Sequence, residues 1–474
     1  MLTEDERIRF VTAAGDVFCP DPVVRRRRVK AMSRRRRIER ASADTRVLNE
    51  TGIRTLRDKP VFTTPNVFPP KDFEPVQAAE DREPAETADA RHCYVCKREY
   101  SEVHHFYDQL CLSCADFNFA KRGELADLSG TTALLTGGRV KIGYQAGIKL
   151  LRCGASLIVV TRFPRDAAAR YAAEADFADW GHRLEVFGLD LRHTPSVEAF
   201  CQHILSTRQR LDFIVNNACQ TVRRPPDFYK HMMEGESAAL DSLGTEVLQL
   251  VGEYEGLRGY ELLPAVRQPG VPGLADAPAM SQIPMLPEER EAQSHLFPQG
   301  QLDKDMQQVD LRDRNSWRLL LHEVSSVELL ETQLVNAVAP FVINARLKPL
   351  MERTPGRAKH VVNVSAVEGQ FYRRYKTTRH PHTNMAKAAL NMMTRTSATD
   401  FQTSGIHMNS VDTGWVSDED PLQIAVRKTA EHGFHPPLDI VDGAARIVDP
   451  IIDGVNTGAH MWGLFLKDYK RADW

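Results

Sequence analysis

The sequence of 474 residues lacks any long hydrophobic run. No stretch approaches the ~18 uninterrupted apolar residues that a membrane helix needs. The opening MLTEDERIRF has no basic segment followed by an apolar one, as a secretory signal would have. The formal net charge of −2 gives no overall field that attracts nucleic acid or membranes. These absences predict a cytoplasmic protein with no membrane partner, whose cysteines are reduced or bound to metal.

The sequence also lacks an internal repeat of fixed period, but its composition changes along the chain. Its 42% hydrophobic and 26% charged residues are typical of a protein with a packed core. The arginine runs Arg25–Arg28 and Arg34–Arg37 indicate a basic helix near the N-terminus. We expect a basic arm over residues 1–60, a Pro- and Glu-rich linker over 61–90, a small Cys/His module over 91–122, and an α/β domain over 123–474 with an insertion at about 222–317.

Four of the eight cysteines form two Cys-x2-Cys pairs separated by fourteen residues, namely Cys93, Cys96, Cys111 and Cys114. Each pair places two thiolates on one tight turn, and two such turns complete a tetrahedron around Zn²⁺. Disulfides are the alternative, which an intracellular chain disfavours, and a redox motif would not explain two pairs. We therefore expect a structural zinc ion in a zinc-ribbon-like module, with His92, His104 and His105 nearby but not bound to it.

From residue 128 onward, short apolar runs alternate with helical patterns. Six runs read as strands: TTALLTGG, SLIVVTRF, LEVFGLDL, DFIVNNA, HVVNVSAV and IHMNSVDTGWV. The helical pattern before the fifth strand extends over residues 316–351. Strands that are separated by helices predict an α/β fold with a Rossmann-type, doubly wound parallel sheet.

A glycine-containing segment, TGGRVKIG, follows the first of these strands and opens a helix. Such a turn lets the backbone approach a pyrophosphate at a helix N-terminus. Further motifs follow in a fixed order, and together the set resembles the short-chain dehydrogenase/reductase family over about residues 126–222 and 318–474. The matching residues are Thr136, Gly137 and Gly143, then Asp190, Asn216, Asn217 and Ala218, then Asn336, Ser365 and Lys387, and finally the segment from Asp412 to Val416.

The resemblance implies a dinucleotide cofactor, a small-molecule substrate and a homo-oligomer, either a dimer or a tetramer. Lys141 replaces the second glycine of the family pattern. Arg162 follows the second strand, where an arginine favours the 2′-phosphate of NADP and an acidic residue would favour NAD; Arg139 would assist it. We therefore expect NADP, with NAD as the alternative. The cofactor-binding set is Thr136, Gly137, Gly138, Arg139, Lys141, Ile142, Gly143, Arg162, Asp190, Leu191, Asn217, Ala218, Lys387, Gly414 and Val416.

The tyrosine that the family uses as proton donor is absent from its position four residues before Lys387, where this chain has Thr383. Enoyl reductases of the family place the tyrosine seven residues before the lysine, and that position holds His380. The resemblance implies that Ser365 polarises a carbonyl, that Lys387 holds the nicotinamide ribose and that Asn336 supports a water relay. Replacement donors lie in the loop before the lysine, namely Tyr372, Tyr375, His380 and His382.

These residues predict an NADP(H)-dependent oxidoreductase that acts on a carbonyl or alcohol with a non-standard proton donor. The first alternative is a sensor or assembly protein that binds NAD(P) without turnover. The second is a nucleic-acid-associated regulator that works through the arginines between Arg25 and Arg37. The insertion falls beside the nicotinamide end of the cleft, where a lid or a subunit contact is expected.

Overall fold

The computed structural model describes residues 3–18, 21–57, 85–259, 274–303, 307–373 and 376–474. The chain forms two compact units, one with the described residues up to 55 and from 85 to 116, the other from 117 to 474. Residues 61–84 of the predicted linker, the centre of the insertion and Tyr375 lie outside the described residues.

The first unit contains three helices and a hairpin. Their bounds are α1 Glu4–Phe18, α2 Pro22–Asn49, α3 Gly52–Arg57, β1 Ala85–His92 and β2 Glu99–Val103. The two strands are antiparallel. The Asp21 carboxylate accepts hydrogen bonds from the amides of Val23 and Val24 and so caps α2, which confirms the predicted basic helix. The predicted linker is wrong at its end, because β1 begins at Ala85.

Helix α4, Leu112–Gly123, leads into the second unit, which holds the remaining elements. The strands are β3 Thr132–Thr136, β4 Ser156–Thr161, β5 Leu184–Gly188, β6 Phe213–Asn216, β7 Lys359–Ser365, β8 Ile406–Asp412, β9 Phe465–Lys467 and β10 Lys470–Ala472. The helices are α5 Lys141–Arg152, α6 Pro164–Ala172, α7 Phe177–Trp180, α8 Thr194–Thr207, α9 Pro226–Tyr229, α10 Met233–Ser237, α11 Thr245–Gly259, α12 Ala277–Met280, α13 Ser326–Gln333, α14 Ala339–Arg353, α15 Pro381–Thr403, α16 Leu422–His432 and α17 Ile440–Thr457.

The strands of the second unit form one sheet in the order β10-β9-β8-β7-β6-β3-β4-β5. All neighbouring pairs are parallel except β10 with β9. The chain winds outward from β3 to β5, then returns to β6 and winds the other way. The predicted doubly wound Rossmann-type sheet is confirmed, and each of the six predicted strands is present.

Helices cover both faces of the sheet, so successive strand residues enter different cores. Leu135 packs with Ile148 of α5 and Ile447 of α17 on one face. Leu134 packs on the other face with a second buried cluster that includes Ile343 of α14. Burial on both faces explains why these strands read as continuous apolar runs rather than as alternating ones.

The predicted helix over residues 316–351 starts later than expected. Short 3-10 turns occupy Ser316–Arg318 and Leu321–Glu323, and α13 begins only where Ser325 caps it by accepting a hydrogen bond from the Glu328 amide. Within the described residues, the stretch Ser326–Arg353 alone is long and apolar enough, by length and composition, to cross a membrane. Its inward side belongs to the core, because Ile343 and Leu347 are fully buried.

Candidate active site and metal centre

The glycine loop after β3 lies at the switch point of the sheet, where β3 pairs with β4 on one side and β6 on the other. Ligands of such folds bind outside the carboxyl ends of the strands at this point. Gly137 has a φ of 71°, and a Cβ there would lie 2.8 Å from Cα of Ala218. A Cβ on Gly143 would lie 2.1 Å from the carbonyl oxygen of Gly137. Only glycine fits at both positions, so the loop keeps its backbone open.

Lys141, which replaces the second glycine of the family pattern, adopts a left-handed backbone with a φ of 54°. This conformation costs a side-chain-bearing residue about 1–2 kcal/mol, and strain of this kind collects at functional sites. Burial acts to raise the pKa of Glu419, but the Lys141 ammonium, a hydrogen bond from Ser417 and the Arg224 charge together outweigh it and lower the pKa. The Lys141 charge therefore faces the segment that follows β8.

Two further loop residues hold the glycine turn in place. A Cβ on Gly138 would lie 2.9 Å from the Val159 side chain, and the Tyr171 hydroxyl donates a hydrogen bond of 2.9 Å to the Gly138 carbonyl. Ile142 packs against α17, where a Cβ on Gly443 would come within 2.9 Å of it. These contacts fix the loop on the helices behind it.

The loop after β6 is bonded directly to the glycine turn. The Asn217 side-chain amide donates to the carbonyls of Thr136 and Gly137, at 3.2 Å each. The Ala218 amide donates to the Thr136 hydroxyl at 3.0 Å. Thr136, Asn217 and Ala218 thus join the two loops that meet at the switch point.

Asn336 lies in a π-helical turn, Leu334–Val338, between α13 and α14. Its side chain is buried and bonds both backbone groups of Gln220: it accepts from the amide at 2.7 Å and donates to the carbonyl at 3.2 Å. π-helical turns occur frequently at functional sites. The turn brings Asn336 to the chain that follows β6.

Asp190 and Leu191, after β5, are both buried. Burial acts to raise the pKa of Asp190, but hydrogen bonds from Arg192 outweigh it and keep the pKa low. Arg192 also pairs with Glu331 of α13 at 2.8 Å, and Glu331 in turn pairs with Arg223 at 2.8 Å. Sequence analysis missed Glu331, which joins the segments after β5 and β6; nothing in the local pattern of α13 marks it.

The arginines expected to recognise a 2′-phosphate have contacts within the protein. Arg139 is buried and donates to the Asp166 carboxylate at 2.7 Å. Arg162 donates to the Tyr229 hydroxyl at 2.6 Å, and its guanidinium lies 4.6 Å from the centre of that ring. Tyr229 belongs to the first helix of the insertion, so the insertion contacts the end of β4.

Ser365 and Lys387 lie together at the carboxyl end of β7 and on α15. The Ser365 hydroxyl donates to the Asn391 side chain at 2.6 Å, and the Lys387 ammonium donates to the Val364 carbonyl at 2.8 Å. Thr383 lies one helical turn before Lys387 and is only 3% exposed. Among the described residues, its hydroxyl has no hydrogen-bond partner. Buried hydroxyl groups almost always have a hydrogen-bond partner, so the Thr383 hydroxyl is exceptional in this respect.

The structure separates the replacement donors by position. Tyr372 is 81% exposed and points to solvent, whereas Tyr375 lies outside the described residues. His380 is buried and stacks on Trp317, with ring centres 3.7 Å apart. Burial lowers the pKa of His380 to about 4, so this ring is neutral at pH 7. His380 also has a left-handed backbone, with a φ of 44°.

His382 lies at the start of α15 and faces α13. It is 2% exposed, and its Nε2 is 3.6 Å from the Glu328 carboxylate. Burial acts to raise the pKa of Glu328, but the neighbouring His382, Ser316 and the Arg223 charge together outweigh it and lower the pKa. Glu328 therefore stays ionised beside His382, a neighbour that sequence analysis missed.

The segment after β8 contains Gly414, whose φ of 74° requires glycine or strain, and Val416, which lies against α17 near Gly443. The segment then meets the end of the insertion. The Asn315 side chain donates to the Glu419 carbonyl at 2.8 Å. The insertion therefore holds the chain next to the expected nicotinamide position.

A second bond joins the same two segments. Arg318 forms an ion pair of 2.5 Å with Asp420, and Lys428 of α16 pairs with Asp420 and Asp418 at 2.7 Å each. Apart from Lys428, these side chains lie between β8 and α16 or just before α13. The charges form one network that joins the chain after β8 to the chain before α13.

In the first unit, the four thiols of the Cys-x2-Cys pairs converge, with all sulfur atoms within 4.8 Å of one another: Cys93, Cys96, Cys111 and Cys114. The Cys96 and Cys111 sulfurs are 3.6 Å apart, too far for a disulfide bond between them. Burial acts to raise the pKa of Cys111, but hydrogen bonds from the Cys114 amide and neighbouring groups lower it to about 7. His104 does not join them; its Nδ1 accepts from the Phe106 amide at 3.0 Å.

Comparison with known proteins places this geometry in a family. Residues 131–234 match the family model described as short chain dehydrogenase, and residues 316–433 match the one described as Enoyl-(Acyl carrier protein) reductase. An uncharacterized protein of Acanthamoeba polyphaga mimivirus is 29% identical over 393 residues, 81% of this chain and 75% of that protein. Dehydrogenase/reductase SDR family member 13 of Bos taurus is 32% identical over 105 residues, 21% of this chain and 28% of that protein. The solved Pseudomonas aeruginosa RhlG/NADP active-site complex aligns with a TM-score of 0.44 and 17% identity, covering 72% of this chain and 95% of that one.

The two family matches leave most of the insertion unmatched and contain the glycine loop, Ser365 and Lys387. The chain spans about a quarter of the bovine protein's length. The mimivirus alignment is longer: it covers 81% of this chain, more than residues 131–474 contain, so it extends upstream of residue 131. Over residues 131–234 and 316–433 the chain belongs to the short-chain dehydrogenase/reductase family.

Proposed function

We propose that this chain is an NADP(H)-dependent oxidoreductase that reduces a carbonyl or oxidises an alcohol. The observation that carries the proposal is the placement of Ser365 and Lys387 on adjoining elements at the carboxyl end of the parallel sheet, where the glycine loop also ends. NADPH, when bound, supplies the hydride. The residues of this chain hold the reactants and move the proton.

The glycine loop fits a dinucleotide, because Gly137 and Gly143 leave no room for a Cβ and so present bare backbone. The amides at the start of α5 then face the pyrophosphate. An arginine, Arg162, at the end of β4 supports a 2′-phosphate and therefore NADP rather than NAD. In this proposal Lys387 binds the nicotinamide ribose, and Ser365 donates to the substrate oxygen.

The proton path is proposed to run through Thr383 and water. A threonine hydroxyl is a much weaker acid than a phenol, whose pKa is ~10, so Thr383 does not replace tyrosine as an acid. The Thr383 side chain is smaller than that of a tyrosine, and its buried hydroxyl has no hydrogen-bond partner among the described residues. We infer that a water fills this space, held by Thr383, and passes a proton from the Lys387 side to the substrate oxygen.

Thr383→Val is expected to lower kcat by about 10-fold to 100-fold with little change in KM, since valine keeps the shape but removes the hydroxyl. Thr383→Ser keeps the hydroxyl and serves as the matched control, with turnover close to that of the parent. The measurement is steady-state NADPH oxidation on a panel of aldehydes and ketones.

His382 is the rival donor in this assay. If His382→Gln abolishes turnover and removes a limb of the pH profile while Thr383→Val leaves kcat unchanged, the water path is wrong and the His382–Glu328 pair takes its place.

A homo-oligomer is proposed from exposed apolar side chains on α13, the π-helical turn, α14 and the helix that packs against them, α15. These are Leu330, Val338, Phe341, Met385 and Met392, each between 39% and 60% exposed. An apolar stripe of this kind marks a protein–protein contact. A contact with a second subunit also explains why the stretch Ser326–Arg353 is apolar on its exposed side as well as on its buried side.

Phe341→Asp combined with Met392→Asp is expected to convert the oligomer to a monomer, because both charges would be buried in the contact. Sedimentation velocity measures the mass. Phe371→Asp with Tyr372→Asp, which alters two exposed aromatic residues elsewhere, is the control. A parent chain that sediments as a monomer, or a double variant with unchanged mass, would contradict this assignment.

The four-cysteine cluster is proposed to bind a structural Zn²⁺. Four thiols within 4.8 Å of one another match the ligand number of a closed tetrahedral site. The surrounding hairpin and turns are too small to form an extensive core. Zinc would therefore supply much of the free energy that folds this segment.

A further inference from the structure

Helix α2 concentrates the positive charge of the chain. Its 28 residues contain eleven basic and two acidic side chains, a formal charge of +9. Because the whole chain carries −2, the remainder carries −11. The neutral total therefore hides a strongly basic element in an otherwise acidic protein.

The basic side chains of α2 are exposed to solvent. Every residue from 26 to 43 is exposed. Among the described residues, ion pairs link only Arg25 to Asp16 and Arg35 to Glu39. The other cations therefore have no carboxylate to neutralise them within the described chain.

The spacing of these cations is unfavourable for a helix on its own. Four consecutive arginines span more than one turn of 3.6 residues, so each run points in every direction around the axis. Like charges three and four residues apart repel one another along the surface. Such a helix gains stability when a polyanion surrounds it.

The C-terminal end of α2 is anchored in the first unit. Asp44 accepts hydrogen bonds from the amides of Ala88, at 2.7 Å, and Asp89, at 3.3 Å, in β1. Leu48 is buried, and the Gly52 amide donates to the His105 carbonyl at 2.9 Å. The hairpin that carries two of the clustered cysteines at its turn thus anchors the C-terminal end of α2.

We propose that α2 binds double-stranded DNA by lying in its major groove and neutralising the phosphates on both walls. A helix of about 10–12 Å diameter fits a groove about 12 Å wide. The exposed residues 26–43, at about 1.5 Å each, extend over about 27 Å, somewhat less than one DNA turn of about 34 Å. Arginines on every side suit a groove with two charged walls.

Other polyanions fit α2 less well. A membrane surface contacts one side of a helix and requires an apolar side on it, whereas the arginines of α2 point all around. Single-stranded nucleic acid needs aromatic side chains for base stacking, and α2 has none. The major groove of double-stranded RNA is too deep and narrow for side chains to read.

The test measures binding of the full-length chain to a fluorescent 20-base-pair DNA duplex by anisotropy, over a range of salt concentrations. Arg34, Arg35, Arg36 and Arg37 are replaced together by glutamine, which preserves helix propensity. The matched control removes four exposed arginines from the second unit: Arg357, Arg395, Arg427 and Arg471. Circular dichroism and the unfolding temperature check that both variants fold.

The parent is expected to bind the duplex with an affinity that falls steeply with salt, by about 0.9 units of log Kd per log salt for each phosphate contacted. The α2 variant should bind about 10-fold or more weakly and lose about 2–4 units of that slope. The control should change by less than about two-fold. No salt-dependent duplex binding, an equal loss in the control, or tighter binding to single-stranded DNA, to double-stranded RNA or to phosphatidylserine vesicles would overturn the proposal.

Discussion

Replacing Lys387 by methionine is expected to lower kcat by about 10²–10⁴-fold, the range that an acid–base group contributes. The Lys387 ammonium is buried beside Ser365 and donates to the Val364 carbonyl. Methionine keeps the length of the side chain but removes the charge and the donor. The substituted chain would therefore lose its contact with the nicotinamide ribose. It would also lose the group from which the proposed proton path starts. Stopped-flow and steady-state NADPH oxidation measure the loss.

The control for this substitution is another buried lysine. Lys149 donates to the carbonyls of Lys121 and Arg122 at the end of α4, far along α5 from the glycine loop. Lys149→Met should lower the unfolding temperature but leave kcat within about two-fold of the parent value, since it removes two structural hydrogen bonds only. If Lys387→Met also retains turnover, Lys387 has no part in the reaction and the assignment of the site fails.

Removing zinc is expected to unfold the hairpin that carries the cysteine cluster. The purified chain should contain about one zinc ion, and a chelator or Cys111→Ser should release it, because zinc binding contributes about 10–16 kcal/mol to such sites at neutral pH. Backbone amides of residues 85–116 should then exchange with deuterium much faster. Metal analysis and hydrogen exchange follow the two effects.

Cys219→Ser is the matched control, since Cys219 is an exposed free cysteine outside the cluster. It should keep the metal and the slow exchange. A parent chain without bound zinc, or a hairpin whose exchange is the same in Cys111→Ser, would refute the metal assignment. Either result would leave the proposal for the oxidoreductase site untouched, because the two rest on different residues.

The sheet was predictable because its strands are buried on both faces and so appear as apolar runs in the sequence. The order of the motifs then located the glycine loop, Ser365 and Lys387, since the carboxyl ends of parallel strands meet at one edge. The start of α13 was not predictable from periodicity, because apolar residues continue through two 3-10 turns before the Ser325 cap. Strand β1 has a polar sequence and is defined by backbone pairing with β2.

The long-range contacts of the site also escaped prediction. The sequence predicts Arg162 as a contact for the 2′-phosphate of NADP, but it does not predict the hydrogen bond from Arg162 to Tyr229 of the insertion. Glu331 gains its role from arginines that are more than a hundred positions away in the sequence. His382 is paired with Glu328 only because α15 packs on α13. Such pairs depend on how segments distant in the sequence pack together, which no local pattern records.

The central claim is that the site transfers a hydride. The most direct test supplies NADPH with deuterium at C4 to the full-length chain, together with a panel of aldehydes and ketones and a metabolite extract. Mass spectrometry then searches for products that have gained one deuterium. The account predicts such a product with the parent chain and none with Lys387→Met. Tight NADPH binding with no deuterated product from any source would contradict it.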